Sequence, residues 1–149
     1  MYTQGFSSTT TAEEVAEVLS DQIRGKNVLI TGTSHNSLGF ETARVIAKYA
    51  NLVIITGYNE GRCSEDVIKE SIPHANIRPL LLDLSSLDSV RKAAAEVNAY
   101  HEPLDVLINN AAAAVEPFTP TTDGRFEKQF HRGHLPWHFF LCAKVALGA

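Results

Sequence analysis

Apolar residues along this chain come in short unbroken blocks, separated by stretches in which they recur every three or four positions. The blocks NVLIT (27–31), NLVIIT (51–56), IRPLLLDL (77–84) and LDVLINN (104–110) read as four strands. They are apolar throughout rather than alternating, which predicts strands covered on both faces. Between them, FETARVIAKYA (40–50), EDVIKES (65–71) and LDSVRKAAAEVNAY (87–100) read as helices, the last with Ser85 and Ser86 placed to cap it. Upstream, Thr11 and Glu14 form a T-x-x-E capping box that opens a short helix over 12–20. Strand–helix alternation at this spacing predicts right-handed βαβ units and a parallel sheet, an α/β fold. No internal repeat, low-complexity segment or linker interrupts the pattern.

The turn TGTSHNSLG (31–39) joins the first strand to the first long helix. A parallel sheet binds ligands beyond the carboxyl ends of its strands, and a helix that opens there presents unpaired amides to an anion. Gly32 can supply the tight turn, and Gly39 lets the helix start approach closely. Around them stand Thr31, Ser34, Asn36, Ser37 and Leu38. The hydroxyls and the amide between the glycines are neutral donors suited to a pyrophosphate, and asparagine tolerates left-handed backbone.

Composition narrows the field. The 149 residues suffice for one domain with a real core. A net charge of −4 argues against a nucleic-acid surface. Two cysteines, Cys63 and Cys142, give neither a CxxC pair nor a disulfide framework. No apolar run reaches membrane-spanning length and the start lacks a signal sequence, so the expectation is a cytoplasmic, reducing setting without a membrane partner.

Four stretches together resemble the short-chain dehydrogenase/reductase family, in its divergent fungal form with a TGxSxxxLG turn. They are GKNVLITGTSHNSLGFETARVIAKYA, LLLDLSSLDSV, LDVLINNAA and DGRFEKQFHRGHLPWHFFL. The resemblance implies a doubly wound, Rossmann-like sheet of order 3-2-1-4, of which this chain carries the N-terminal half. Residues 1–25 are then an arm and short helix, and residues 26–149 a partial NAD(P)-binding domain. It implies that Asp83, with Leu84 beside it, contacts adenine. Asn109 and Ala111 come from the family's NNAG, which here reads Asn109-Asn110-Ala111-Ala112. Tyr58 and Asn59 follow the second strand, where an acid would bond the ribose hydroxyls of NAD. Nearby Arg62 is either a ligand for a ribose 2′-phosphate or an ordinary solvated side chain. The missing acid leans to NADP, with NAD as the alternative, although the family's arginine at position 58 is missing too.

The family's catalysis uses an Asn on the fourth helix, a Ser, and a Tyr and Lys spaced YxxxK. Here Gly133 stands at the Asn, and no YxxxK occurs in the sequence. The resulting expectation is a truncated protein of oxidoreductase lineage that keeps a partial NAD(P) pocket and is inactive alone as a dehydrogenase. The parent substrate would be a carbonyl or alcohol of a small lipophilic molecule. Two alternatives stand beside it. One is an isomerase, cyclase or lyase using the emptied cleft, with His131, His134 or Tyr58 as acid/base. The other is a non-catalytic binding subunit. His131, His134 and His138 would share one helix face, but Pro136 interrupts it and no metal site is assigned. The open edge of the fourth strand and the apolar FFLCAKVAL predict a homo-oligomer, or pairing with a related chain.

Overall fold

The computed structural model describes residues 5–58 and 65–112. Its elements run α1 (Ala12–Val18), α2 (Ser20–Ile23), β1 (Asn27–Ile30), α3 (Leu38–Ile46), β2 (Leu52–Gly57), α4 (Glu65–Ser71), β3 (Ile77–Leu81), α5 (Leu87–Asn98) and β4 (Val106–Ile108). The four strands form one sheet in the order β3-β2-β1-β4, and every pairing is parallel. This is the doubly wound order expected from the sequence. Among the described residues no helix is long and apolar enough to cross a membrane.

Two apolar layers hold the sheet. On one face Val28, Ile30, Val53, Ile55 and Ile77 pack with Phe40 and Ala43 of α3 and Ile68 of α4. On the other, Leu29, Leu52, Ile54 and Leu80 pack with Val90, Ala93, Ala94 and Val97 of α5. Consecutive strand residues point to opposite faces, so the unbroken apolar runs of β1 and β2 fill both layers, and each position is buried. Burying one such Leu or Ile side chain contributes about 1.5–3 kcal/mol. In β3 the pattern departs from the uniform reading. Arg78 is only half-buried and Pro79 and Leu81 are exposed, because β3 has a neighbour on one side only.

Boundaries differ for local reasons. The first helix breaks at Leu19, whose backbone leaves helical geometry, and resumes as α2. The capping box is present: Thr11 Oγ1 accepts the Glu14 amide, and the Thr11 amide donates to Glu14 Oε2 at 2.7 Å. α1 lies against α3, where Glu13 pairs with Lys48 and with Arg44 at 2.7 Å. α3 itself begins at Leu38, two residues before the sequence reading, because Ser37 caps it by accepting the Phe40 amide at 3.1 Å. β3 stops at Leu81, since the chain turns at Asp83 to open α5 behind its N-cap Ser86.

A polar chain crosses the amino ends of the strands. Asn27, buried, donates from Nδ2 to the Pro103 carbonyl at 2.8 Å and accepts from Asn51 Nδ2 at 2.7 Å. The Asn51 carbonyl in turn accepts from Asn76 Nδ2 at 2.8 Å. Asp105 Oδ2 takes the Asn27 amide at 2.8 Å. Starts of all four strands are thereby tied together, and both polar atoms of the buried Asn27 side chain have a partner.

Candidate functional site

At the opposite, carboxyl ends of the strands, the turn from β1 folds back over β2 and β4. Gly32 adopts φ +69°, and an added Cβ would lie 2.7 Å from Ala111 Cα. Both facts demand glycine: one for backbone geometry, the other for the close approach of the segment after β4. Asn36 takes φ 61°, the left-handed conformation asparagine tolerates.

The turn is stitched on two sides. Towards β2, the Gly32 amide donates to Thr56 Oγ1 at 3.1 Å. Thr33 Oγ1 donates to the Thr56 carbonyl and accepts the Thr56 amide, both at 3.1 Å. Towards β4, Thr31 Oγ1 accepts the amides of Asn110 and Ala111 at 3.1 Å each. Asn110 Nδ2 donates to the carbonyls of Thr31 at 2.8 Å and Gly32 at 3.1 Å. Gly39 packs against this amide. A Cβ there would stand 2.3 Å from Asn110 Nδ2 and 2.5 Å from the Gly32 carbonyl oxygen. Its lack of a side chain is therefore required by the protein's own turn.

These commitments sort the donors of the turn. The Ser37 hydroxyl donates to the Gly32 carbonyl at 3.1 Å while capping α3, so it serves the turn and has no proton to offer a ligand. The Gly32 amide is spent on Thr56. By contrast, among the described residues nothing takes the backbone amides of Leu38 and Gly39, the first two of α3. They are the unpaired donors that a helix start directs at an anion, reinforced by the positive end of the helix dipole.

A cleft of about 620 Å³ opens in front of Leu38, with Gly39 buried behind it. Gly32, Ser34, Ser37 and Leu38 line it from the turn, Tyr58 from the end of β2, and Asp83, Leu84 and Ser85 from the segment after β3. Asn110, Ala111 and Ala112 line it from the segment after β4. The one charge among these lining residues is Asp83. Its Oδ1 accepts from the Ser85 amide at 2.8 Å and the Ser85 hydroxyl at 2.6 Å, which fixes the carboxylate at the cleft wall. Leu38 is 83% exposed and Tyr58 53% exposed at the lip.

The cleft thus brings together Gly32, Ser34, Ser37, Leu38, Tyr58, Asp83, Leu84 and Ala111 from the sequence-derived set. Thr31 and Gly39 lie behind it as buried supports, and Asn36 and Asn109 are exposed without lining it. Asn59, Arg62, His131 and His134 lie outside the described residues. Sequence reasoning missed Asn110, Ala112 and Ser85. Ser85 had a signal, because an Asp followed two residues later by Ser is an Asx-turn pattern. The choice between adjacent Asn109 and Asn110 had none, since it depends on which neighbour faces the turn.

Comparison with known proteins agrees with this geometry. A family model described as short chain dehydrogenase matches residues 26–145. The chain is 37% identical over 139 residues to the short-chain dehydrogenase TIC 32 A, chloroplastic, of Brassica napus, covering 92% of this chain and 42% of that protein. It is 37% identical over 140 residues to the human WW domain-containing oxidoreductase, covering 93% of this chain and 33% of that protein. The chain therefore spans less than half the length of these relatives. Among solved structures, a gluconate 5-dehydrogenase from Burkholderia cenocepacia J2315 in complex with NADP and tartrate superposes with a TM-score of 0.60 at 25% identity. That match covers 85% of this chain and 50% of the other. With the parallel sheet, the glycine turn and the matched residues in agreement, the chain belongs to the short-chain dehydrogenase family.

Proposed function

We propose that this chain binds NADP(H) in the cleft between the turn 31–39 and the segments after β3 and β4. It would serve an oxidoreductase that moves a hydride between that cofactor and a carbonyl or alcohol of a small lipophilic molecule. The observation that carries the reading is the unclaimed amide of Leu38, with that of Gly39 buried directly behind it, at a helix start on the wall of a cleft with no cation among its described lining residues. Neutral donors at a helix start suit a bridging pyrophosphate. Leu38, exposed beside them, offers an apolar surface to a flat ring. A volume of about 620 Å³ lies within the ordinary range of cofactor sites. Asp83 Oδ2 has no partner among the described residues and stands ready to accept from an exocyclic amine. Bound there, the nicotinamide supplies or accepts the hydride. The residues Thr31, Thr33, Thr56 and Asn110 hold the turn that receives its phosphates.

Tyr58 supports NADP over NAD, because it stands where a carboxylate would bond the ribose diol of NAD. Arg62 belongs to the same proposal as a partner for the 2′-phosphate. No Y-x-x-x-K occurs in these residues, so the stretch is assigned binding and not proton transfer. Purified chain should therefore bind NADPH more tightly than NADH in calorimetry, and should not oxidise NADPH in the presence of an aldehyde or ketone. Absence of heat with millimolar dinucleotide would overturn the binding assignment. Steady NADPH oxidation would overturn the division of roles. The cytoplasm is the proposed location, and self-association through the β4 side, or pairing with a related chain, is the proposed assembly.

A further inference from the structure

The outer edge of β3 carries a proline where an edge strand would otherwise invite another strand. The phase of the ladder is fixed at both ends: the Val53 amide donates to the Asn76 carbonyl at 3.0 Å, and the Leu82 amide donates to the Gly57 carbonyl at 2.9 Å. With Val53 opposite Ile77 and Gly57 opposite Leu81, a parallel ladder alternates strictly. Backbone groups of Arg78 and Leu80 therefore face β2, and those of Ile77, Pro79 and Leu81 face outward. Pro79 sits in the middle of the outward set, where its missing N–H costs the existing sheet nothing.

Among the described residues nothing bonds the outward amides of Ile77 and Leu81. Pro79 and Leu81 are both exposed. An open, partly apolar edge of this kind is a template for strand addition. The nearby guanidinium does not guard it, because Arg78 is drawn to the α5 side. There it lies 4.3 Å from the centre of the Tyr100 ring and bonds Glu102 at 2.9 Å.

We propose that Pro79 closes the β3 edge to strand addition by a second copy of this chain. An incoming strand would meet donors at Ile77 and Leu81 but none between them. The pyrrolidine ring would also project into the roughly 4.8 Å that separates paired strands. One carbonyl of the incoming strand would be desolvated without a partner, and the remaining two contacts would be held apart. Growth of the sheet is thereby confined to the β4 side.

The test is a dilution series of the parent chain and Pro79→Val by sedimentation velocity, with amide hydrogen exchange at Ile77 and Leu81. Valine restores the central donor and favours strand geometry, so the variant should self-associate roughly tenfold more tightly. Its amides at 77, 79 and 81 should gain protection as concentration rises. In the parent the amides of Ile77 and Leu81 should exchange equally fast at every concentration, a reading that does not depend on the variant folding. Equal association constants for the two proteins would overturn the proposal. So would concentration-dependent protection of Ile77 and Leu81 in the parent.

Discussion

Replacing Gly39 by alanine puts a single methyl group where the structure has no room for it. The new Cβ would stand 2.3 Å from Asn110 Nδ2, 3.1 Å from Asn110 Cγ and 2.5 Å from the Gly32 carbonyl oxygen. A side-chain rotation can remove the first conflict. It does so by breaking the bonds from Asn110 Nδ2 to Thr31 and Gly32, at about 1 kcal/mol each. The third conflict is with backbone and requires the turn itself to move. Against this, alanine improves the helix by up to about 1 kcal/mol over glycine. The net loss is then about 1–2 kcal/mol, or roughly 2–8 °C in Tm for a chain of this size. Thermal unfolding by circular dichroism measures it, and NADPH affinity measured in parallel should fall as the Leu38 and Gly39 amides shift. A double-mutant cycle sharpens the argument. In an Asn110→Ala background only the Gly32 conflict remains, so Gly39→Ala should cost less there by at least about 0.5 kcal/mol. An unchanged or raised Tm, or strict additivity in the cycle, would refute the reasoning that the Asn110 amide is what excludes a side chain at position 39.

Other consequences follow from single residues. Thr31→Val keeps shape but removes the acceptor for the Asn110 and Ala111 amides, and should cost about 2–3 kcal/mol, read as a lower urea midpoint at unchanged slope. Glu13 is held below the usual carboxylate range by its hydrogen bonds to Lys48 and Arg44. A depressed folded pKa stabilises above the unfolded value and loses that contribution as pH falls through the folded one. Glu13→Gln should therefore flatten the fall in stability below about pH 4.5, followed by denaturant midpoints across the acid range. Tyr100 is pushed up to about 12, first by burial and then by its hydrogen bond to Glu96. Its neutral form stabilises the fold below the unfolded pKa, and that contribution disappears as pH rises through the folded one. Tyr100→Phe should remove that alkaline dependence, and should also remove from the ultraviolet titration a component displaced to high pH.

The topology was legible because the apolar blocks of β1 and β2 are unbroken. Only strands covered on both faces need that pattern, which made the parallel α/β sheet legible, while the order 3-2-1-4 followed from the family resemblance. Boundaries were less legible where side chains redirect the backbone. Ser37 was read as a ligand donor, yet its hydroxyl is consumed in capping α3 and bonding Gly32. Asp83 and Ser85 turn the chain before the apolar run predicts its end. At the site, the glycines were legible from spacing, but the reason for Gly39 was not. It answers to Asn110, 71 positions away along the chain (110 − 39), and such a contact leaves no local mark. Pro79 likewise shortens no strand, because its phase against Ile55 turns its nitrogen outward.

The asparagine chain across the amino ends sets a common starting line for strands of unequal length. Counted from it, β1 has four residues and β2 has six. Since Asn27 is opposite Leu52 and Ile30 is opposite Ile55, the surplus of β2 falls entirely at the carboxyl end, as Thr56 and Gly57. Two residues of strand are roughly 6.6 Å. The top of the sheet is therefore stepped, and the step is the recess in which the glycine turn sits with Thr56 as its side wall. A two-residue insertion in β1, which keeps the facing of the residues beyond it, would raise the floor of that recess. A deletion in β2 would lower the wall. The depth of the recess is thus set by strand length measured from the far end of the molecule, some distance from the residues that line it.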